Sequence, residues 1–328
     1  MRSVYINEFG SVEHLEIREV PDPPAPSWTQ VLVRVHAAGL NRADLLQARG
    51  LYPPPAGYSP NIPGLEFAGE VAATGDDVKD IIPGTRVFGI TAGEAQAEFI
   101  LTDERLIAKV PDHLNYAEAA CVPEAFITAH DAIFTLGDLG THDNILIHAV
   151  GSGVGLAGLQ LAKAHGAFVV GTSRTADKLE RCIAHGLDAG IVVTDPRDYA
   201  SQVSDATGGH GADVILDLVG GAYFDQSLRS LALKGRHILV GLTSGRSADV
   251  DLGLVLQKRA RIIGTVLRPR TLDEKGEAVA RFVAEVLPLF ASRKLRPDLD
   301  RVFPAADAVD AYKYLESNVS FGKVVLEF

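Results

Sequence analysis

The chain has 328 residues, 47% of them hydrophobic and 22% charged, with a formal charge of −11. That length exceeds one ordinary core and suits two domains of roughly 100–200 residues each, while the mix excludes a disordered or fibrous chain. The negative balance opposes nucleic-acid phosphates and anionic lipid, so neither nucleic acid nor a membrane is expected as a partner.

Up to about Ala120, short apolar alternations broken by Pro and Gly predict strands at Gln30–Ala37, Leu65–Ala72, Arg86–Ile90 and Glu98–Ile107. They read as a small, mostly antiparallel β domain. A helix is expected over Asn41–Arg49, followed by the loop LYPPPAGYSP, whose prolines stiffen the backbone and carry Tyr52 near its tip. From about Cys121 the texture changes to apolar runs of strand length alternating with helices, the mark of a parallel sheet covered on both faces. The expected strands are Ile145–His148, Phe168–Thr172, Ile191–Val193, Val214–Val219, His237–Gly241 and Arg261–Leu267, which suits a doubly wound fold. Beyond Leu267 lie a helical stretch Glu274–Arg293, kinked or ended early by Pro288, a shorter helix near Ala306–Glu316 and a closing strand, GKVVLEF. The fold class is therefore α/β, with domains at residues 1–120 plus 268–328 and at 121–267. Two cysteines, Cys121 and Cys182, make neither a disulfide framework nor a structural-zinc set and fit a reducing, cytoplasmic setting. The start, MRSVYINEFG, has no charged segment followed by an apolar run, and no stretch approaches the roughly 18 apolar residues of a spanning helix.

The segment DNILIHAVGSGVGLAGLQLAKAHGA is an apolar strand, a glycine-rich turn at Val150–Gly155 and an amphipathic helix. Dinucleotide pyrophosphate needs that order: glycines let backbone N–H groups approach the phosphates, and the helix start presents unpaired donors and partial positive charge. The literal spacing Gly153–Gly158 is one step out of register, because Gly158 falls inside the helix. About 20 residues on, where an acidic side chain would accept from the ribose hydroxyls of NAD, stand Ser173 and Arg174, with Lys178 one helical turn further. Arg174 and Lys178 can pair with a 2′-phosphate, which favours NADPH. Their other reading is a solvated helix start.

The whole chain resembles the zinc-independent quinone oxidoreductases of the medium-chain dehydrogenase/reductase superfamily, and most nearly their tumour-suppressor-inducible subgroup. The resemblance runs through LNRADLLQARGLYPPP, GLEFAGEV, PEAFITAH, LIHAVGSGVG, ILDLVGG and FGKVVLEF. It implies that the first domain is GroES-like, completed by the carboxyl-terminal segment, that the second is a Rossmann domain, and that NADPH lies in the cleft between them. It also implies a quinone or enone as substrate and a homodimer paired through the strand Arg261–Leu267, whose other reading is a buried internal edge strand. Asn41 and Leu65 stand where zinc-dependent relatives carry cysteine and histidine, so Glu66 has no ligand company and no metal is expected. The subgroup's phosphate loop matches Ser152, Gly153, Val154 and Gly155, and further cofactor contacts are implied for Thr128, Gly241, Leu242 and Lys323. Ser152 either donates to the cofactor or stabilises its own turn. Where many relatives place a tyrosine beside the 2′-phosphate, this chain has Val193, so NADPH preference rests on Ser173, Arg174 and Lys178.

Hydride addition to a quinone or enone builds charge on a carbonyl oxygen, and a metal-free site needs a donor near it. Tyr52 is the expected donor, and its other reading is a loop tyrosine packed on Pro53–Pro55. Asn41 either holds the substrate or nicotinamide amide or caps its helix, and Asp44, three residues on, either orients Asn41 or closes a capping box. Two other readings stand beside this one: an enoyl-thioester reductase, which shares the machinery, and, from a different class, a non-catalytic NADPH-binding redox sensor.

Overall fold

The computed structural model describes all 328 residues, divided into one unit of Met1–Ile127 with Leu267–Phe328 and a second of Thr128–Val266. The helix Pro123–His130 runs across the division. No helix is long and apolar enough to cross a membrane.

The first unit is built on a seven-stranded sheet. Its central strand, Gln30–Gly39, buries Val31, Val33 and Val35 and turns Arg34 outward, the period-two pattern of a strand with one face in the core. Glu66–Thr74, Phe99–Asp103 and the carboxyl-terminal Lys323–Glu327 pair with it antiparallel. Leu299–Pro304 then adds parallel to the last of these. The end of the chain thus completes the sheet begun by its start. Phe282 and Phe290, from the helices Leu272–Glu285 and Leu287–Ala291, meet Phe88 and Phe126 edge-on, with ring centroids 6.0 and 4.8 Å apart.

Two expected elements divide in this unit. Glu98–Ile107 is not one strand: after Phe99–Asp103, the Asp103 side chain accepts from Arg105 N–H and caps a 3-10 turn before pairing resumes at Ile107–Lys109. The helical stretch after Leu267 breaks at Val286, and Pro288 sits in the first turn of the short second helix, where its missing N–H costs nothing.

The second unit is a six-stranded parallel sheet in the order Ala189–Val192, Phe168–Ser173, Asn144–Ile147, Ala212–Asp217, Leu231–Leu239, Arg261–Gly264. This is the doubly wound order, reversing beside the strand that leads into the glycine-rich turn. The fifth strand starts at Leu231, earlier than its apolar run, and the sixth ends at Gly264, three residues short of the expected Leu267.

Candidate functional site: a phosphate turn and a buried charge cluster

In the second unit the strand Asn144–Ile147 is buried except at its first residue and delivers the chain into a tight turn. Ala149 takes a left-handed backbone conformation, φ 50°, which costs an L-residue about a kcal/mol or more and is tolerated where a turn is over-determined. Ser152 caps the helix Gly153–His165, its Oγ accepting from Gly155 N–H at 3.2 Å. The turn-stabilising role is therefore filled, and the hydroxyl keeps its hydrogen to donate. Gly155 is required: a Cβ there would lie 2.5 Å from the Ala149 carbonyl oxygen. Gly158 is inside the helix, where a Cβ would reach Leu216 at 2.8 Å, so its role is helix–sheet packing.

Around this turn the unit arranges several of the expected cofactor residues. Ser173 ends its strand buried, its Oγ accepting from Thr175 N–H, and Arg174 follows exposed. Arg174 acts electrostatically on Tyr223, a residue the sequence reading did not single out. Gly241 passes so close to Leu218 that a Cβ would sit 2.5 Å from its carbonyl oxygen, and Leu242 beside it is 45% exposed. The Thr128 hydroxyl is buried with no hydrogen-bond partner, an unfilled polar valence of the kind a bound ligand satisfies. Glycine turn, free helix-start donors, an exposed arginine and an orphan hydroxyl together fit a phosphorylated dinucleotide.

Beneath the turn lies a buried polar network. His148 Nδ1 bonds Thr172 Oγ1 and its Nε2 bonds Ser227 Oγ, both at 2.9 Å, while Tyr199 OH donates to the Tyr223 carbonyl at 2.8 Å. Asp217 accepts from Val219 N–H, Gly220 N–H and His237 Nε2, each at 2.8 Å. Burial pushes the His148 imidazole down to about 4. Burial works against the Asp217 carboxylate, but the His237 hydrogen bond and both imidazoles outweigh it and hold it at about 2.

The first unit gathers a different cluster. The Asn41 side chain belongs to a capping box with Asp44 but makes no direct cap hydrogen bond, and its amide is engaged elsewhere: Nδ2 donates to Glu66 Oε1 at 2.9 Å, and Oδ1 accepts from Lys323 Nζ at 2.7 Å. One weak contact to the Gly39 carbonyl, 3.4 Å, is all that its second N–H makes. Asp44 is fully buried and accepts from Asn41 N–H at 2.7 Å and Gly64 N–H at 3.2 Å, so it fixes the helix start and an adjoining loop. Burial lifts its carboxyl to about 6. Lys323, for which a cofactor contact was expected, is 5% exposed and spends its ammonium on the Leu40 carbonyl, Asn41 Oδ1 and Glu66 Oε1. Three acceptors match its three hydrogens, leaving none for a ligand. Glu66 is likewise used up, its Oε2 accepting from Glu124 N–H at 2.9 Å.

Tyr52 sits half-buried on its loop, its ring under the Arg268 guanidinium at 5.0 Å and its carbonyl accepting from Arg268 Nη1 at 2.8 Å. Burial raises its phenol above the ordinary range, opposed by Arg268 and reinforced by Glu124. Glu124 itself is raised to about 8, by burial first and by the neighbouring Glu66 second, so it is a neutral acid at pH 7. Sequence reading passed over Arg268 and Glu124, two charged residues set within otherwise apolar or helical stretches, a pattern that usually means a solvated face.

Two family models match, the alcohol dehydrogenase GroES-like domain over residues 27–131 and the zinc-binding dehydrogenase over 153–285. Quinone oxidoreductase-like protein 2 of Bos taurus is 30% identical over 95% of this chain and 88% of that protein. The chain belongs to the medium-chain dehydrogenase/reductase superfamily. The pikromycin polyketide synthase component PikAII of Streptomyces venezuelae is 36% identical over 93% of this chain, which spans 8% of that protein. Across the first seven curated relatives, six of them named as polyketide synthases, the chain spans 7–19% of their length. Among solved structures, mycobacterial Rv1454c complexed with NADPH is 29% identical with a TM-score of 0.90, both chains being covered completely. The CurK enoyl reductase is 25% identical with a TM-score of 0.86, over 99% and 98% of the two chains. The two-domain α/β fold is that of the superfamily.

Proposed function

We propose that the chain is an NADPH-dependent reductase of quinones or enones that works without zinc or flavin. The observation that carries this reading is the phosphate turn followed by Ser173 and Arg174: an exposed guanidinium and no carboxylate stand where the adenosine ribose is read. The NADPH in the mycobacterial structure supports it. Ser152, Gly153, Val154 and Gly155 would hold the pyrophosphate, Thr128 and the Gly241–Leu242 turn would border the nicotinamide end, and Ser173, Arg174 and Lys178 would read the 2′-phosphate. NADPH, when bound, supplies the hydride.

The first unit's residues supply the rest. Tyr52 donates its phenolic hydrogen to the carbonyl oxygen on which charge builds, and no side chain or carbonyl of the protein takes that hydrogen in competition. Asn41 orients substrate through its lightly used N–H, and Asp44 holds Asn41 in place. Lys323 and Glu66 serve as supports of Asn41. The exposed Ile262 on the edge strand Arg261–Gly264 suits pairing with a second copy in a homodimer. A second reading, reduction of an enoyl thioester, is favoured by the CurK likeness and the polyketide synthase matches.

Consumption of NADPH with an ortho-quinone and with a short enoyl coenzyme A thioester separates the two. Quinone turnover that falls about a hundredfold or more in Tyr52→Phe supports the proposal. Thioester turnover alone transfers the assignment to the second reading, and tight NADPH binding without either activity would make the chain a redox sensor. Arg174→Ala should weaken NADPH binding about 10- to 100-fold by fluorescence titration and leave NADH binding unchanged. Equal losses for both cofactors would remove Arg174 from the 2′-phosphate.

A further inference from the structure

A buried arginine is costly, and its neighbours show what it is held for. Arg268 is 4% exposed, yet forms no ion pair. Its guanidinium donates instead to three neutral acceptors on three segments: Nε to the Ala92 carbonyl at 2.7 Å, Nη1 to the Tyr52 carbonyl at 2.8 Å, and Nη2 to Gln47 Oε1. Removing a cation from water costs several kcal/mol unless geometry and hydrogen bonds compensate. A lysine would lack the planar fork needed to reach three separated acceptors at once. A purely structural tie could be made without a charge, by glutamine or by backbone. What the charge adds is its place over the Tyr52 ring, 5.0 Å from the centroid.

We infer that Arg268 is the positioning residue for Tyr52: it clamps the proline-rich loop to the Gln47 helix and the Ala92 loop, and its cation polarises the phenol toward donation. This inference rests on the reading of Tyr52 as the hydrogen-bond or proton donor. The charged and titratable groups around the pair are Glu124, which acts on both, Asp44 and Tyr312, which act on Arg268, and Lys275, whose own charge Arg268 disfavours. Burial raises the Tyr52 phenol and Arg268 is the group that opposes the rise, so removing the cation must move the phenol further up.

The test compares wild type, Arg268→Gln and Arg268→Lys by near-ultraviolet titration of the phenols, with Tyr52→Phe marking which part of the signal belongs to Tyr52. Cofactor affinity and steady-state quinone reduction are measured alongside. In Arg268→Gln the Tyr52 step should move to higher pH and kcat should fall about 10- to 100-fold, the scale of a misplaced catalytic group, while NADPH affinity stays within twofold. Arg268→Lys keeps the charge without the fork, so it should retain the titration and still lose turnover. An unmoved Tyr52 step in Arg268→Gln with unchanged kcat overturns the inference, as does a loss of turnover matched by loss of NADPH affinity. Should Arg268→Gln fail to fold, wild-type kcat in Arg268→Lys is enough to overturn it. Full turnover in Tyr52→Phe would overturn the donor reading by itself, and the titration would still report whether Arg268 acts on the phenol.

Discussion

The two units bury ionisable groups in opposite ways. In the second unit the buried network holds Asp217 ionised against three donors and His148 neutral between two hydroxyls, each in its ordinary form near neutrality. In the first unit Asp44 and Glu124 are raised to about 6 and about 8, so burial there disfavours the charges that neutral pH would impose. On the proposed reading of Tyr52 as donor, the contrast separates scaffold from chemistry. Polar groups beneath the phosphate turn complete a rigid frame, whereas those around Tyr52 are left in tension, the condition in which side chains exchange protons near physiological pH.

The largest test of this contrast removes Asp217. Asp217→Ala strands His237, whose Nδ1 already lacks a partner, and orphans the Val219 and Gly220 N–H groups. The expected loss is about 3–5 kcal/mol in urea unfolding, the usual result of breaking a buried pair by removing one partner. A loss under 1 kcal/mol would mean that the network is not part of the frame.

A pH series should pull the two units apart. For His148, ordinarily near 6.5 and held at about 4, the unfolded chain takes up a proton first, so the second unit loses stability as pH falls from about 6.5 to 4. Asp217, ordinarily 3.8 and held at about 2, extends that loss below pH 4. For Glu124, ordinarily 4.5 and raised to about 8, the folded chain keeps the proton longer, so the first unit weakens as pH rises between those values. Hydrogen exchange followed separately in the two units at pH 5 and pH 8 measures both trends, and slopes of the same sign would refute the contrast. Glu124→Gln removes the penalty at its source. It should raise the melting temperature by roughly 2–4 °C at pH 8, the worth of about 1 kcal/mol in a unit of this size, with little change at pH 5. An effect of the same size belongs to Ser152→Ala, which removes a helix cap and should cost about 1 kcal/mol in the same urea assay.

Local chemistry carried much of the architecture. Alternation marked the strand Gln30–Gly39, the glycine turn marked the start of the helix at Ser152, and strands alternating with helices marked the doubly wound sheet, because each depends on neighbours within a few residues. Boundaries were less legible. Glu98–Ile107 looks like one strand until Asp103 turns back to cap Arg105, and Leu231–Leu239 pairs well before its apolar run begins.

The candidate site divides along the same line. The glycine turn and the exposed Arg174 could be read in place, since both are set by one strand–turn–helix and the end of the next strand. Asn41 could not: whether its amide caps a helix or meets Glu66 and Lys323 depends on residues 25 and 282 positions away. Arg268 was invisible for the same reason, its three acceptors lying 176 to 221 positions distant. Strand period, turn chemistry and helix caps are short-range properties that a sequence states directly. A buried charge acquires its partners, and with them its protonation, only when the sheet closes and desolvates it.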